Sequence, residues 1–271
     1  MLSNFAAPKF DSVTTRVLRR LRSAWPTSAD FARRALPQTC MLCATPSGTA
    51  LMCAMCCADM PRTEVACPRC ALPSARIKGT SDAAGKSTTG LMCGACLARP
   101  PPFALTIAAW RYEFPADRLL QAFKYGAALA LADVFARAIV DAIVAQHAPL
   151  PDRIAAVPLA PARQRQRGFN QAQEIARVVS SLTGVALLRG LRRSRDSPPQ
   201  EGLTRTARVA NVRRAFVCET SLEGTAIALI DDVMTTGATV AAASKALLEA
   251  GASRVDAWVV ARTPPPTPAR P

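Results

Sequence analysis

The chain has no long hydrophobic run, which limits how it can relate to a membrane. The longest candidate, residues 127–145, is interrupted by Asp133, Arg137 and Asp141, whereas a membrane-spanning helix needs about 18 or more apolar residues. The N-terminus also lacks the apolar segment of a secretory signal, because Asp11 and four arginines lie within its first 22 positions. We therefore expect a cytoplasmic protein without a membrane span.

Histidine and aromatic residues are scarce. The one histidine, His147, lies at the end of a predicted helix, where a capping role is favoured over catalysis. Nine Phe, three Trp and two Tyr are the only aromatic residues among 271. Proteins that bind single-stranded nucleic acid usually add stacking aromatics to positive charge. The shortage of aromatic residues argues against binding of single-stranded nucleic acid, since only Phe169 and Phe216 lie in the most basic stretch.

Acidic residues are outnumbered, with 19 Asp and Glu against 34 Lys and Arg and a net charge of +15. The excess is concentrated in residues 162–217, where 12 basic residues face 3 acidic ones for a net charge of +9. Arginine binds phosphate oxygens in a bidentate fork, so this stretch suits a pyrophosphate group or a nucleic acid. The alternative is a solvated basic surface without a specific ligand.

Cysteine, by contrast, is abundant and clustered. Nine of the ten cysteines lie between residues 40 and 96, and eight of them form C-x-x-C pairs. Two such pairs can surround one zinc ion with four thiolates, which leaves no open position and makes the metal structural. A disulfide framework would instead require an oxidising compartment. The eight predicted zinc ligands are Cys40, Cys43, Cys53, Cys56, Cys67, Cys70, Cys93 and Cys96.

The sequence allows more than one pairing of these cysteines. Sequence order assigns the first two pairs to one zinc and the last two to a second. The spacers are unequal, with nine residues after Cys43 and 22 after Cys70, so an interleaved pairing stays open. Cys57 could substitute for its neighbour Cys56, and Cys218 is expected to be a small buried apolar residue.

Residues 227–239, Ile-Ala-Leu-Ile-Asp-Asp-Val-Met-Thr-Thr-Gly-Ala-Thr, form the most informative stretch. The apolar run 227–230 predicts a buried parallel strand, and residues 238–250 predict a helix that ends at Gly251. Residues 231–237 are then a strand-to-helix turn. Its backbone N–H groups and threonine hydroxyls suit a phosphate, and the upstream acidic pair suits sugar hydroxyls or a metal ion.

This stretch resembles the phosphoribosyl-pyrophosphate (PRPP) signature of type I phosphoribosyltransferases, since four apolar residues, two acids and a Thr-Thr-Gly-x-Thr tail occur in order. The resemblance implies that the acidic pair contacts the ribose hydroxyls and that the tail holds the 5-phosphate. The alternative is a purely structural one, a strand end followed by two acidic residues that cap the next helix. The residues that the signature implicates are Asp231, Asp232, Val233, Thr235, Thr236, Gly237, Ala238 and Thr239.

The order of predicted elements favours an α/β fold. Strands are expected at 103–112, 153–157, 185–188, 227–230 and 254–261, with helices after Pro115, from Asn170 to Leu182 and after the signature. Alternating strands and helices predict a mainly parallel sheet with flanking helices, in which ligands bind at the carboxyl ends of the strands.

Three further stretches extend the resemblance: Leu-Gln-Ala-Phe-Lys-Tyr-Gly at 120–126, Val-Pro-Leu-Ala-Pro to Arg-Gly-Phe-Asn-Gln at 157–171, and Gln200 to Phe216. With the cysteine pairs, they resemble the ComF family, phosphoribosyltransferase-like proteins with an N-terminal double zinc ribbon. The expected organisation is a basic extension (1–39), the zinc ribbons (40–99), a type I phosphoribosyltransferase-like domain (103–262) and a Pro-rich tail (263–271).

In the type I fold, the turn after the first sheet strand binds pyrophosphate and a mobile loop closes over the site. By position these would be residues 158–168 and about 192–208. Lys124 is a further candidate catalytic residue. It is followed by the helix-breaking Gly126, which suggests that the helix ends there with the lysine directed at a ligand. The alternative is a lysine whose side chain only reaches solvent. The predicted pyrophosphate ligands are Arg163, Arg165, Arg167 and Gly168.

Two functions follow from the resemblance. The first is an enzyme that binds Mg²⁺ with PRPP or another ribose phosphate and transfers the phosphoribosyl group to an unidentified acceptor, by positioning and charge stabilisation. The second is a non-catalytic factor that binds single-stranded DNA or a partner and whose phosphoribosyl site is a sensor or relic. Association of the family with DNA uptake in natural competence implies single-stranded DNA, a DNA-uptake helicase or another competence protein as partners.

Overall fold

The structure is a computed structural model, and it describes residues 38–75, 90–126, 128–193 and 215–264. The predicted N-terminal extension up to residue 37, the Pro-rich tail from residue 265 and the greater part of the predicted mobile loop lie outside these ranges. No helix in the described ranges is long and apolar enough to cross a membrane.

The cysteine-rich part, residues 38–98, is built from very short elements. Strands β1 (Gln38–Thr39) and β2 (Pro46–Gly48) pair antiparallel, and they are followed by helices α1 (Ala54–Ala58) and α2 (Gly94–Ala98). Each helix begins directly after a cysteine, since Cys53 and Cys93 occupy the N-cap positions. Gln38 and Thr39, expected in the basic extension, therefore pair within this part.

The rest of the described chain forms an α/β unit around a five-stranded sheet. All neighbouring strands in that sheet are parallel, with the order β3-β9-β8-β4-β5. Strands β6 and β7 form a separate antiparallel ribbon. The elements are β3 (Leu105–Arg111), α3 (Ala116–Tyr125), α4 (Leu131–Ala145), β4 (Arg153–Ala156), α5 (Pro161–Arg167), α6 (Gln171–Thr183), β5 (Ala186–Leu187), β6 (Leu191–Arg193), β7 (Phe216–Cys218), β8 (Ala226–Met234), α7 (Ala238–Glu249) and β9 (Arg254–Arg262).

Helices cover both faces of the sheet. On one face, α3, α4 and α6 enclose a core that includes Phe123, Phe135 and Trp258, all fully buried. On the other, α7 packs against the alternate residues of β8 and β9, with Leu229 and Val259 at the centre. Strands covered on both faces read as continuous apolar runs, which is why β8 and β9 could be recognised from the sequence.

The cysteine-rich part lies along edge strand β3. The Thr106 N–H donates to the Pro68 carbonyl at 3.0 Å, its hydroxyl donates to the Arg69 carbonyl at 2.6 Å, and the Arg111 N–H donates to Pro61 at 2.6 Å. An exposed strand edge would present unpaired backbone groups to other chains. These bonds cover that edge and attach the two parts of the protein to each other.

Three expectations need correction. The signature strand runs to Met234, so Asp231 to Met234 belong to β8 and the turn begins only at Thr235; the strand is longer because β9 pairs with it as far as Arg262. Residues 161–167, expected as a loop, form helix α5, which Pro161 starts at a position where its missing N–H costs nothing. Residues 192–193 of the expected mobile loop are in β6, and residues 194–208 lie outside the described ranges.

Candidate functional site

The eight paired cysteines form two groups of four, which we call the first tetrad (Cys40, Cys43, Cys53, Cys56) and the second tetrad (Cys67, Cys70, Cys93, Cys96). The grouping follows sequence order. Within each tetrad all sulfurs lie within 4.8 Å of one another. The Cys43–Cys53 and Cys70–Cys93 sulfurs are both 3.7 Å apart, close to the ~3.8 Å edge of a tetrahedron with Zn–S bonds of about 2.3 Å. Both tetrads could therefore hold a zinc ion.

Backbone hydrogen bonds favour the thiolate form at Cys40 in the first tetrad and at Cys67 in the second. Burial acts to raise the pKa of Cys40 and Cys67, but backbone N–H donors around each sulfur outweigh it and lower the pKa to about 6 and about 7, respectively. The Cys56 N–H donates to the Cys53 sulfur at 3.4 Å and the Cys93 N–H to the Cys67 sulfur at 3.3 Å. All ten cysteines are described and none is in a disulfide.

We predict two zinc ions per chain, measured by elemental analysis of the purified protein. Cys93→Ser is expected to remove one of them, because a closed site with a missing thiolate binds zinc far more weakly. Cys57→Ser is the matched control: Cys57 adjoins a ligand but belongs to neither tetrad, so two zinc ions should remain. Loss of zinc in Cys57→Ser would contradict the assignment.

Cys218, expected to be buried, is only half-buried.

The acidic pair lies near the carboxyl end of β8, at the edge of the sheet where parallel strands place their ligands. Asp231 is paired in register with Val259 of β9. The Asp232 N–H donates to the Asp231 carboxylate at 2.9 Å, and the Val233 N–H donates to the Asp232 carboxylate at 2.6 Å. These local bonds fix both carboxylates on the strand.

Asp231 has an unusually weak acid group. Part of the residue surface is accessible, but its carboxyl group is enclosed by protein. This enclosure raises the pKa of Asp231 to about 8, and the neighbouring Asp232 carboxylate adds to the rise, while the Asp232 N–H and Lys124 act against it. An acid in a site with too little positive charge is the pattern expected where a cation or a hydrogen-bonding ligand is to bind.

Lys124 is brought directly to this pair. It lies in the last turn of α3, and its Nζ is 3.0 Å from the Asp232 carboxylate, with 18% and 14% of the two side chains exposed. The two residues are 108 positions apart in the chain, so folding alone places them together. A site role for Lys124 stays a prediction, but the alternative of a lysine that reaches only solvent does not agree with this contact.

The turn that follows β8 leads into the N-terminus of α7. Thr235, Thr236 and Thr239 are exposed, and the Ala238 N–H donates to the Thr236 hydroxyl at 3.3 Å. Gly237 has a φ of +80°, a left-handed conformation that favours glycine, and a Cβ there would meet the flexible end of the Met234 side chain at 2.7 Å. The first N–H groups of a helix lack partners within the helix, which makes this an anion-binding geometry.

The predicted pyrophosphate arginines lie on α5, after β4. Arg163 and Arg165 are exposed, while Arg167 is half-buried. Arg167 donates to the Tyr125 hydroxyl at 3.4 Å and to the Gln171 side-chain carbonyl at 3.2 Å, and its guanidinium lies 5.2 Å from the centre of the Tyr125 ring. The end of α3 thus contacts the acidic pair through Lys124 and the basic helix through Tyr125.

Sequence comparison agrees with this architecture. The chain is 31% identical over 235 residues to the DNA utilization protein YhgH of Salmonella typhi, covering 84% of this chain and 98% of that relative. It is 32% identical over 178 residues to competence protein F of Haemophilus influenzae, covering 63% and 78%. The chain belongs to the ComF family. No protein-family model matches it.

Structural comparison gives matches of low TM-score to parts of larger enzymes. The ComF chain matches UMP synthase of Leishmania donovani (21% identity, TM-score 0.32, 53% of this chain and 24% of that one). It also matches the glutamine PRPP amidotransferase of B. subtilis (20% identity, TM-score 0.33, 48% and 25%). It spans about a quarter of each of these larger chains. The predicted architecture, a mainly parallel sheet with flanking helices and a preceding cysteine-rich module, is confirmed by the strand pairing and by the two tetrads.

The ComF stretch Arg-Gly-Phe-Asn-Gln at 167–171 has a clear local role. Gly168 ends α5 with a φ of 78°, Phe169 packs edge-on against Phe123 at 5.6 Å, and the Asn170 side chain caps α6 and donates to the Val157 carbonyl at 3.1 Å. These contacts hold α5 over the end of β4. These contacts explain most of this stretch structurally, and among the arginines on α5 they leave Arg163 and Arg165 exposed.

Sequence reasoning missed one residue of this ComF site. Arg262, the last residue of β9, is 5% exposed and donates to carbonyls at the start of the Thr235 turn. The signal was present, because an arginine ends the apolar run 257–261 of a strand that is buried on both faces. Arginine is almost never fully buried unless it is paired, so this burial is informative.

Proposed function

We propose that this ComF protein binds PRPP with Mg²⁺ and transfers its phosphoribosyl group. The observation that carries the proposal is the contact of Lys124 with an acidic pair that directly precedes an exposed Thr-Thr-Gly-x-Thr turn at a helix N-terminus. The 5-phosphate would lie on the turn, and the carboxylates of Asp231 and Asp232 would accept hydrogen bonds from the ribose 2- and 3-hydroxyls.

The acidic pair cannot form a complete metal site by itself. In the described ranges, the only groups of three or more potential ligands are the two cysteine tetrads. Mg²⁺ is commonly held by one or two carboxylates together with substrate phosphates, which agrees with the donor set here. When bound, Mg²⁺ would neutralise charge on the pyrophosphate.

The chain's own residues would then stabilise the charge that develops as pyrophosphate leaves C1. Cations that face the departing group favour its separation, and the electron-poor ribosyl carbon needs no protein nucleophile. Three cations in the described part of the candidate site are suited to this role. Arg163 and Arg165 are exposed, and Lys124 is paired with the Asp232 carboxylate. The acceptor is unassigned. Relatives named for DNA utilization and competence support a role linked to DNA uptake.

Calorimetry with PRPP and Mg²⁺ tests the proposal. We expect wild-type binding and at least a 100-fold weaker affinity in the double variant Asp231→Asn/Asp232→Asn, since each neutral amide loses a charged acceptor. Asp133→Asn, on the exposed face of α4, is the matched control and should bind as wild type. Absence of wild-type binding, or equal binding by the double variant, would refute it.

A second function, binding of single-stranded DNA, is favoured by one observation. Tyr125 is 72% exposed and lies beside Arg167, which places an accessible aromatic ring next to the basic helix α5. The two aromatics that the sequence offered are unavailable, because Phe216 is buried under Arg193 and Phe169 packs on Phe123.

We predict that Tyr125→Ser weakens single-stranded DNA binding about tenfold or more, because base stacking contributes about 1–3 kcal/mol. Phe114→Ser, which removes another ring that is 74% exposed, is the control and should have little effect. Affinity measured by fluorescence anisotropy at several salt concentrations checks both the stacking and the phosphate contacts. A salt slope near zero would exclude DNA as a ligand of this surface.

A further inference from the structure

Arg262 lies between the second tetrad and the Thr235 turn. It ends β9 opposite Met234 of β8, and only 5% of the residue is exposed. Its Nε donates to the Cys70 carbonyl at 2.8 Å. Its Nη1 donates to the Met234 carbonyl at 2.8 Å, to the Thr235 carbonyl, and to the Thr263 carbonyl at 3.1 Å. One guanidinium thus joins a zinc-ligand residue to the start of the turn.

The charge of Arg262 is balanced in an unusual way. No carboxylate in the described ranges forms an ion pair with it. Burying an unpaired charge is costly. A zinc ion with four thiolates carries a net charge of −2, and the second tetrad supplies four thiols next to Arg262, which donates to the backbone carbonyl of Cys70.

These bonds also orient the turn. In a trans peptide the carbonyl of one residue and the N–H of the next point in opposite directions. Because Arg262 holds the Met234 and Thr235 carbonyls, the N–H groups of Thr235 and Thr236 are directed away from the guanidinium. Among described residues, neither the Thr236 nor the Gly237 N–H donates to a backbone carbonyl. The Thr236 N–H therefore points away from Arg262 and is available for an anion.

We propose that Arg262 is a positioning residue that couples the second tetrad to the phosphate-binding turn, so that zinc in this tetrad sets the geometry of the sugar-phosphate site. The first tetrad has no such connection through the described hydrogen bonds. The identity of the ligand rests on the proposed function, but the coupling between metal and turn does not.

Hydrogen exchange in the ligand-free protein tests the coupling. The probe amides are in residues 232–241 and 263, which include the Ala241 N–H bonded to Gly237 and the Thr263 N–H bonded to Met234. We expect Cys93→Ser and Arg262→Met each to raise exchange there about tenfold. The double variant should be no faster than either alone, because both remove one connection. Arg262→Lys keeps the charge and should retain part of the protection.

Two matched controls separate coupling from general loss of stability. Cys53→Ser removes the first zinc, and Arg254→Met removes another arginine of β9; both should leave exchange at 232–241 unchanged. Equal acceleration in Cys53→Ser, additive effects in the double variant, or no effect of Cys93→Ser would overturn the proposal.

A PRPP titration of the same variants separates the two proposals. A tenfold weaker affinity in Arg262→Met, partly restored in Arg262→Lys, supports both. Coupled exchange without any PRPP binding by wild type would refute the proposed function alone, whereas normal PRPP affinity in Arg262→Met would refute the positioning role.

Discussion

Asp231→Asn is expected to stabilise the ligand-free protein at alkaline pH while it weakens ligand binding. Asp231 has a pKa raised to about 8 by enclosure in protein, so the folded state binds a proton that the unfolded chain releases near pH 4. The stability that this proton contributes is complete below the unfolded pKa and is lost as pH rises towards 8. Asparagine has no proton to lose and escapes this cost.

We therefore expect the wild type and Asp231→Asn to be equally stable near pH 4. As the pH rises further, the variant should become the more stable protein by at most about 1.4 kcal/mol per pH unit, which amounts to at most about 5 kcal/mol at pH 8. Urea unfolding followed by fluorescence of the buried Trp110 and Trp258 measures this. Asp256, whose pKa is also raised by burial, is present in both proteins and cancels. Parallel stability curves from pH 4 to 9 would show that Asp231 is ionised in the free protein.

Lys124→Met is expected to have the opposite effect. The substitution leaves two adjacent carboxylates without their cation, and we expect a loss of about 2 kcal/mol at pH 8, less than the 3–5 kcal/mol of a fully buried pair because both side chains are partly exposed. Lys245→Met breaks an exposed i,i+4 pair with Glu249 and should cost under about 0.5 kcal/mol.

Two additions to the Lys124→Met experiment identify the cause. Adding Asp232→Asn should recover most of the loss, because the unpaired charge is then removed. Mg²⁺ should raise the melting temperature of Lys124→Met more than that of wild type, since a metal ion can take the place of the ammonium group. A variant that is insensitive to both changes would show that Lys124 contributes only packing.

The parts of the fold that the sequence predicted well are those where one local pattern suffices. Strands β8 and β9 are continuous apolar runs, and the paired cysteines carry their spacing with them. The end of β8 was misplaced at Ile230 because Asp231 and Asp232 are poor strand residues by propensity. Pairing with β9 as far as Arg262 keeps them in the sheet, and a single sequence does not show that partner.

The candidate site depended more on contacts between distant parts of the chain. Lys124 could be suspected from Gly126, but its contact with Asp232 arises from the packing of α3 against the sheet. The raised pKa of Asp231 depends on the surrounding protein rather than on neighbours in sequence. The apolar run before Arg262 signals its burial, but its acceptors are backbone carbonyls, which have no sequence signature.

The most direct test of the central claim is a crystal structure of the protein with PRPP and Mg²⁺, with zinc located by anomalous scattering. The account predicts the 5-phosphate on the N–H groups of residues 235–239, the ribose hydroxyls on Asp231 and Asp232, and one zinc ion in each tetrad. Sugar-phosphate density at another surface, with the Thr235 turn empty and Lys124 still bound to Asp232, would contradict it.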